Sequence, residues 1–442
     1  MVEAMEQVYS DTNAGLHYDL RLELDPATQF VAVSGSIAYH SPVHRLERAR
    51  FYLHHQFNIQ RLWGKRVLGY QYERLGSPVG VAQDALKPPE PVSPGVSFLP
   101  QAGILDVYFN PPLKKDETAL IEFEYLGNIT EWPAEGANRI DPDWAELGQF
   151  LPWFPFQFNG SPSELTFTLK VSAPVGFQVS SYGAATQQDG AFFFNWTQPT
   201  RDIVVAAGLS LETHAFESLP NRVFLSTVNM SEPTITQLGE DMLWTLERFS
   251  GWFGPTRPSD FNIIQSPRKL GGSYARRGLV VLSGLTEKDY LAQPETYLRY
   301  LAHEASHAWW WEAPTDTWED WLNESFAEYS ALLAIRERYG AGAFEQIMAS
   351  KRDQAPSAPP LWEFNRADLS TPEALATVER MLYDKGPLIL QMLEQRIGYL
   401  RFMDFCRAML WSGVASTPHL LDLLEEVEDH ETRVWMETLL RQ

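Results

Sequence analysis

The chain has 442 residues, 44% of them hydrophobic and 13% aromatic, with 15 Trp. That is too rich in ring area for a disordered chain and longer than one core usually supports, so two folded domains are expected. The 35 basic against 57 acidic side chains leave a net charge of -22, which repels phosphate backbones and anionic lipid and argues against nucleic-acid and membrane partners.

In chain order, the opening MVEAMEQVYSDTNAG carries two Glu and no apolar run of signal-peptide length, so the cytoplasm is the expected location. From Leu16 to about Leu209 short alternating segments follow one another: HYDLRLELD, FVAVSGSIAYH, ARFYLHH, LDVYFN, ALIEFEYLG, ELTFTLKVSA and FFFNWT. Period-two alternation between turn residues predicts antiparallel strands, and residues 1–210 read as an all-β, sandwich-like domain. The proline-rich stretch 76–95 reads as an irregular excursion from it. His40, His44, His54 and His55 invite a second metal site, but strand alternation sends His54 and His55 to opposite faces, and they read as surface residues.

Past residue 210 the texture becomes helical, and 211–442 form the second domain. PTITQLGEDMLWTLERFSGWFG has apolar residues three and four apart and a Gly-Pro stop. Two strand-like runs, FNIIQ and GLVVLS, precede the helical stretches PETYLRYLAHEASHAWWW, NESFAEYSALLAIRERYG and PEALATVERMLYDKGPLILQMLEQRIG. Trp309, Trp310 and Trp311 extend the first of these and read as core aromatics. The last helices run from YLRFMDFCRAML to the C-terminal LLDLLEEVEDHETRVWMETLLRQ.

The single cysteine, Cys406, excludes cysteine-pair zinc sites, so any metal must be held by His and carboxylates. His303 and His307 are four residues apart in a helical stretch, which brings both imidazoles to one face about 6 Å apart along the axis. Glu304, between them in HEASH, stands beside the metal where its carboxylate takes a proton from water. A hydrolytic zinc keeps three protein ligands and one open position. Glu324 in WLNESFAEY, opening the next helical run, is the leading third ligand. A chance H-E-x-x-H arises in roughly a few per cent of such chains, so the pattern is informative. Glu328 is placed to orient a metal-bound histidine from behind.

Four stretches in order resemble the membrane alanyl aminopeptidase (aminopeptidase N) family of gluzincin metallopeptidases. HEASHAWWW with WLNESFAEY is similar to that family's zinc helix and WLNEGFA segment, and LYDKGPLILQML to its Tyr-x-Lys-Gly segment. YDLRLELDP with VSGSIAY is similar to the start of its β-domain, and GLVVLS to the strand edging its substrate cleft. The resemblance implies an α+β fold, with a thermolysin-like, mainly helical catalytic domain after the β-domain and the cleft between them. It also implies one Zn2+, peptide substrates, and Tyr383 as the tyrosine whose hydroxyl donates to the oxyanion. It ends where the family's C-terminal helical domain would begin, so a two-domain form is expected.

Two departures stand out. Residues 308–323 separate His307 from Glu324, two fewer than the family usually has, and a shorter connection explains this better than a switch of ligand to Glu319 or Asp320. The family's Gly-Ala-Met-Glu-Asn segment, whose Glu grips the substrate's α-amino group, is replaced by GSYARRGL, with Ala275 at the aligned position. Gly271 and Gly272 by resemblance let substrate backbone lie along the strand edge. Arg276 and Arg277 bring positive charge instead of negative. The expectation is therefore a zinc peptidase, aminopeptidase-like with altered terminus recognition, the amine being held by another acid such as Glu146. The alternatives are an endopeptidase or carboxylate-recognising peptidase using Arg276 and Arg277, and a non-hydrolytic peptide- or protein-binding member.

Overall fold

The fold is taken from a computed structural model that describes residues 15–74, 101–132, 137–158, 163–218, 220–255, 260–269, 272–315, 317–364 and 372–442. The proline-rich stretch 76–95 lies outside the described residues. Two compact units emerge: Met1–Ala215 with Phe224–Met230 and Asp260–Leu285, and Phe216–Val223 with Ser231–Ser259 and Thr286–Gln442. The chain therefore leaves and re-enters the first unit, where the sequence suggests one boundary near 210. The cause is strand pairing: Asp260–Ser266 and Leu279–Ser283 run parallel to each other, and Tyr274–Arg276 returns antiparallel along the latter.

The first unit is built on a seven-stranded sheet whose middle strands, Leu16–Asp25 and Phe30–His40, form a hairpin in register from Leu16 opposite Tyr39 to Asp25 opposite Phe30. Alternation is visible in Leu16–Asp25, where Leu20, Leu22 and Leu24 are buried while Arg21 and Glu23 face outward. Antiparallel pairing dominates, but Leu16–Asp25 also lies parallel to Leu165–Ser172, a pairing that alternation cannot distinguish. Strands Leu46–His54, Ala102–Leu113 and Val67–Glu73 form a second sheet. His54 is not a surface residue: its strand ends there, the side chain is fully buried with Nε2 2.9 Å from the Glu131 carbonyl, and its ring stacks on His55.

Glu146, in the strand Trp144–Leu147, is completely buried. It accepts from Arg268 Nε at 3.2 Å and from the Tyr274 hydroxyl at 3.1 Å, with the Ser266 hydroxyl also donating. Burial pushes its carboxyl above the usual range and Arg268 opposes this. Nearby in the same unit Arg276 Nε lies 2.9 Å from the buried carboxylate of Asp202, with its guanidinium over the rings of Phe150 and Tyr274.

The second unit is helical: α1 (Glu232–Phe253), α2 (Glu287–Ala292), α3 (Pro294–Ser306), α4 (Trp321–Tyr339), α5 (Ala341–Gln354), α6 (Pro372–Glu379), α7 (Gly386–Ile397), α8 (Tyr399–Ser412), α9 (Thr417–Val427) and α10 (His430–Leu440). Between α6 and α7 the backbone runs as a π-helical segment, Arg380–Lys385. Among the described residues no helix is long and apolar enough to cross a membrane. Helix α4 is the centre of the unit. It is buried on all sides from Trp321 to Ile335, with Glu324 alone in that run reaching solvent. Such a helix is a core element, and its polar side chains must find partners inside.

Replacing one member of a buried ion pair leaves the other uncompensated, at a cost of about 3–5 kcal/mol, whereas replacing both by apolar groups is often neutral. Arg268→Met is therefore expected to lower the urea midpoint of the β unit strongly, and Glu146→Leu added to it to recover most of the loss. An undisturbed midpoint in the single variant would show that the pair contributes nothing.

Candidate metal centre

Helix α3 has Pro in its first turn and presents His303 and Glu304 near its C-terminal end, both buried. The helix stops at Ser306, so His307 is its C-cap and opens a turn that ends at Trp309, and Trp310 and Trp311 follow outside the helix, not as the helical extension that the sequence suggested. The stop has a local cause: the N–H groups of His307, Ala308 and Trp309 reach only three residues back, to the carbonyls of Glu304, Ala305 and Ser306 at 3.4, 3.0 and 2.9 Å, which tightens the backbone out of α-helical geometry. Trp309 and Trp310 are nonetheless core residues, their indole N–H groups donating to the Gly254 carbonyl and the Ser330 hydroxyl at 3.0 Å each. That turn also brings the Trp310 carbonyl to 3.0 Å from His307 Nδ1, fixing the ring with Nε2 facing inward.

Sixteen residues, 308–323, carry the chain from α3 to α4. Asn323 pins this connection by bonding Ala313 twice, Oδ1 accepting from its N–H at 3.1 Å and Nδ2 donating to its carbonyl at 2.9 Å. Asp320 accepts from Asn323 at 2.9 Å, and Glu319 accepts from the Thr417 N–H and hydroxyl at 2.7 and 2.6 Å. Glu324 is the acid that arrives at the histidines. Its Oε2 is 3.3 Å from His303 Nε2 and 3.7 Å from His307 Nε2.

Among the described residues, His303, His307 and Glu324 form the one group whose ligand atoms all gather, within 4.8 Å of one another. Two imidazole nitrogens and one carboxylate form a donor set suited to zinc with one position left open. Access remains: side-chain exposures are 9%, 15% and 19% for His303, His307 and Glu324. Behind His303, Nδ1 lies 3.3 Å from Glu328 Oε2, one helical turn beyond Glu324 on α4. The imidazole thus sits between two carboxylates, one at each nitrogen. Glu328 is balanced in turn by Arg299 and by Lys351 Nζ at 2.7 Å.

Tyr383 comes from the π-helical segment, and its hydroxyl donates to Glu324 Oε2 at 2.8 Å. Burial and the neighbouring carboxylates Glu324 and Glu304 hold the phenol well above its ordinary range, so it stays a donor. Glu304 follows His303 on α3, and its charge acts on both His303 and Tyr383. Gly386, immediately after the segment, lies so close to α4 that a Cβ there would meet Ser325 Oγ at 1.9 Å. The Ser325 hydroxyl donates to the Leu382 carbonyl at 2.7 Å, fastening the segment beside Glu324.

Of the remaining predicted residues, Gly271 lies outside the described residues and Gly272 is exposed before the strand Tyr274–Arg276. Arg276 and Arg277 are partly buried in the first unit, Arg276 against Asp202. Lys351 and Arg299 were not singled out from sequence. For Lys351 a signal existed, since it continues the Phe344, Met348 stripe of α5 at i, i+4, i+7, a place for an apolar side chain.

Residues 285–438 match the peptidase family M1 domain. A probable aminopeptidase 2 of Sulfurisphaera tokodaii is 33% identical over 108 residues, 22% of this chain and 13% of that protein. Human endoplasmic reticulum aminopeptidase 2 is 27% identical over 161 residues, 33% of this chain and 16% of that one. The matched segments thus span well under a quarter of those relatives. Solved structures share the fold: an M1 zinc metallopeptidase mutant from Deinococcus radiodurans bound to a Tyr-Ser-Ala substrate has a TM-score of 0.67 at 20% identity, covering 97% of this chain and 95% of that one. Another, a two-domain M1 zinc metallopeptidase bound to L-arginine, has a TM-score of 0.69 at 19% identity, covering 97% and 94%.

Two predictions follow from this geometry. In metal-free protein, burial disfavours the His303 imidazolium, but Glu324 and Glu328 outweigh it and raise its pKa from 6.5 to about 10. That contribution to stability is complete below pH 6.5 and is lost as pH rises towards 10. The unfolding midpoint of chelator-treated protein should therefore fall over that window while zinc-loaded protein does not share the loss, and parallel profiles would count against the site. Gly386→Ala should cost about 1–3 kcal/mol from overpacking, read as a lower midpoint in a thermal melt; an unchanged midpoint would show that a Cβ fits beside Ser325.

Proposed function

We propose that this protein, whose residues 285–438 match the peptidase family M1 domain, is a zinc-dependent peptidase, aminopeptidase-like but with altered recognition of the substrate terminus. The observation that carries this reading is the gathering of His303, His307 and Glu324 within 4.8 Å, with the Tyr383 hydroxyl bonded to the same Glu324. A zinc ion held by these three side chains supplies Lewis acidity to a peptide carbonyl and makes a nucleophile available near neutral pH. Glu304 takes the proton from the attacking water and hands it to the leaving amine, which lets one carboxylate serve both halves of the reaction. Tyr383 keeps its proton and donates its hydroxyl to the oxyanion as charge develops there, exchanging its bond to Glu324 for a stronger one. His307 is held for ligation by the Trp310 carbonyl and His303 by Glu328.

Aminopeptidase-like hydrolysis is supported by the names of the matched relatives. Altered recognition is supported by two features of the first unit. Ala275 stands where the resembled family has its amine-gripping Glu, and Glu146, the other acid considered for the task, is fully buried and balanced by Arg268. Recognition of a substrate carboxylate by Arg276 is less favoured, because that guanidinium already faces Asp202. A substrate held without a buried carboxylate on its ammonium loses a strong, orienting charge-assisted contact, so acetylation should matter less than for an enzyme that has one.

The test is hydrolysis of a peptide library by zinc-loaded protein, with Glu304→Gln as control. Loss of about 10²–10⁴-fold in kcat with zinc retained is expected for that variant. Zinc-loaded parent protein inactive on every peptide would leave the non-hydrolytic reading instead. Each peptide is run free and N-acetylated: comparable kcat/KM for the two forms supports altered recognition, and cleavage abolished by acetylation would mean that an amine anchor exists despite Ala275.

A further inference from the structure

Helix α5 packs its Phe344 and Met348 inward, and the next residue on that face is Lys351. A lysine in such a place is costly, since burying an ammonium forfeits its hydration unless partners replace it. Here they do. Lys351 is 3% exposed, and its Nζ lies 2.7 Å from Glu328 Oε1 and 3.7 Å from Asp384 Oδ1, while also donating to the main-chain carbonyl of Tyr383. The same Glu328 turns its other oxygen, Oε2, to His303 Nδ1 at 3.3 Å.

One ammonium therefore touches both halves of the site from behind. Through Glu328 it bears on the orientation of His303, and through the Tyr383 carbonyl it bears on the π-helical segment that carries the phenol. π-Helical turns depart from regular helix geometry and need local support to persist, and they recur at functional sites. Arg299 also binds Glu328, at Oε1, and its charge bears on Asp384 of the π-helical segment. Lys351 is the cation whose ammonium itself touches both Glu328 and the Tyr383 carbonyl.

We propose that Lys351 is a positioning residue that sets the metal ligand His303, through Glu328, and the oxyanion donor Tyr383, through its backbone carbonyl, from a single buried ammonium. The catalytic half of this inference rests on the zinc-peptidase reading above; the metal-holding half rests on geometry alone. Lys351 touches neither metal nor substrate, and its effect is on where those that do are held.

The experiment uses the full chain with Lys351→Met, Glu328→Gln and the two combined. The double variant removes both charges of the closest pair together, which guards against a single variant that fails to fold because one of the two is left buried opposite nothing. Zinc affinity is measured by competition with a chromogenic chelator, and kcat and KM at saturating zinc. Lys351→Met is expected to weaken zinc binding about 10-fold or more, in the range usual for residues that orient a ligand, and to lower kcat about 10-fold with KM within about 2-fold. Glu328→Gln should weaken zinc binding to a similar degree, and the double variant should be no weaker than the worse single variant by more than about 3-fold, because the two act along one path. A folded double variant that binds zinc like the parent overturns the proposal. So does Lys351→Met with parental kcat at saturating zinc, even if its melting temperature falls. If the parent hydrolyses nothing, the peptidase reading fails separately, and the chelator competition still decides whether Lys351 holds the ligand.

Discussion

Glu324 and Glu328 stand one turn apart on a helix that is otherwise buried from Trp321 to Ile335. A carboxylate taken out of water must be paid for with cations and hydrogen bonds, and the polar chemistry around the metal-ligand cluster can be traced to that demand. Glu328, at 4% side-chain exposure, takes Arg299, Lys351 and the Nδ1 edge of His303. Glu324, at 19%, has no Lys or Arg partner among the described residues; its neighbours are two imidazoles and the Tyr383 hydroxyl. The two acids end with opposite characters. One is neutralised by the chain itself, while the other is surrounded by groups that accept a metal ion or donate weakly. In the absence of a metal, His303 takes on the cation's part, which is why its imidazole holds a proton so firmly despite its burial. A dication placed among the two Nε2 atoms and Glu324 would relieve the same imbalance.

The same constraint governs the packing around α4. A phenol must reach Glu324 from outside the helix, and a regular helix after α6 would fix its direction differently from the π-helical Arg380–Lys385. The segment is held there by Ser325 on one side and Lys351 on the other, and closes onto α4 so tightly that residue 386 has no room for a side chain. Sequence order 383, 385, 386 thus has a physical basis: phenol, exit, and close approach within four residues.

How much of this was legible in the sequence depended on range. His303, Glu304, His307 and Glu324 were readable because one helical turn and one short connection relate them, and the alternation of Leu20, Leu22 and Leu24 displayed a strand face directly. The ending of α3 at Ser306 was not, since three tryptophans continue the apolar pattern that periodicity follows and only the three-residue bonds made by His307, Ala308 and Trp309 break it. The burial of His54 depended on a partner 77 positions away, and the parallel pairing of Leu16 with Leu165 on one almost 150 away. Lys351 was visible only as an anomaly, a charge on an apolar stripe, with nothing local to say which acid it would meet.

The first unit resolves its charges differently, by closed pairs. Around Ala275 the strand Tyr274–Arg276 is flanked by two buried ion pairs, Glu146 with Arg268 and Asp202 with Arg276. Each acid has a guanidinium of its own, and Tyr274 bridges the sets, donating its hydroxyl to Glu146 while its ring lies against both arginines. An acid introduced by Ala275→Glu would therefore enter a stretch already balanced by Arg276, and would compete with Asp202 for that guanidinium. A carboxylate left with free charge at this position would require changes at Arg276 and its partner Asp202 together, because the charge of this strand is a property of the whole set and not of one position.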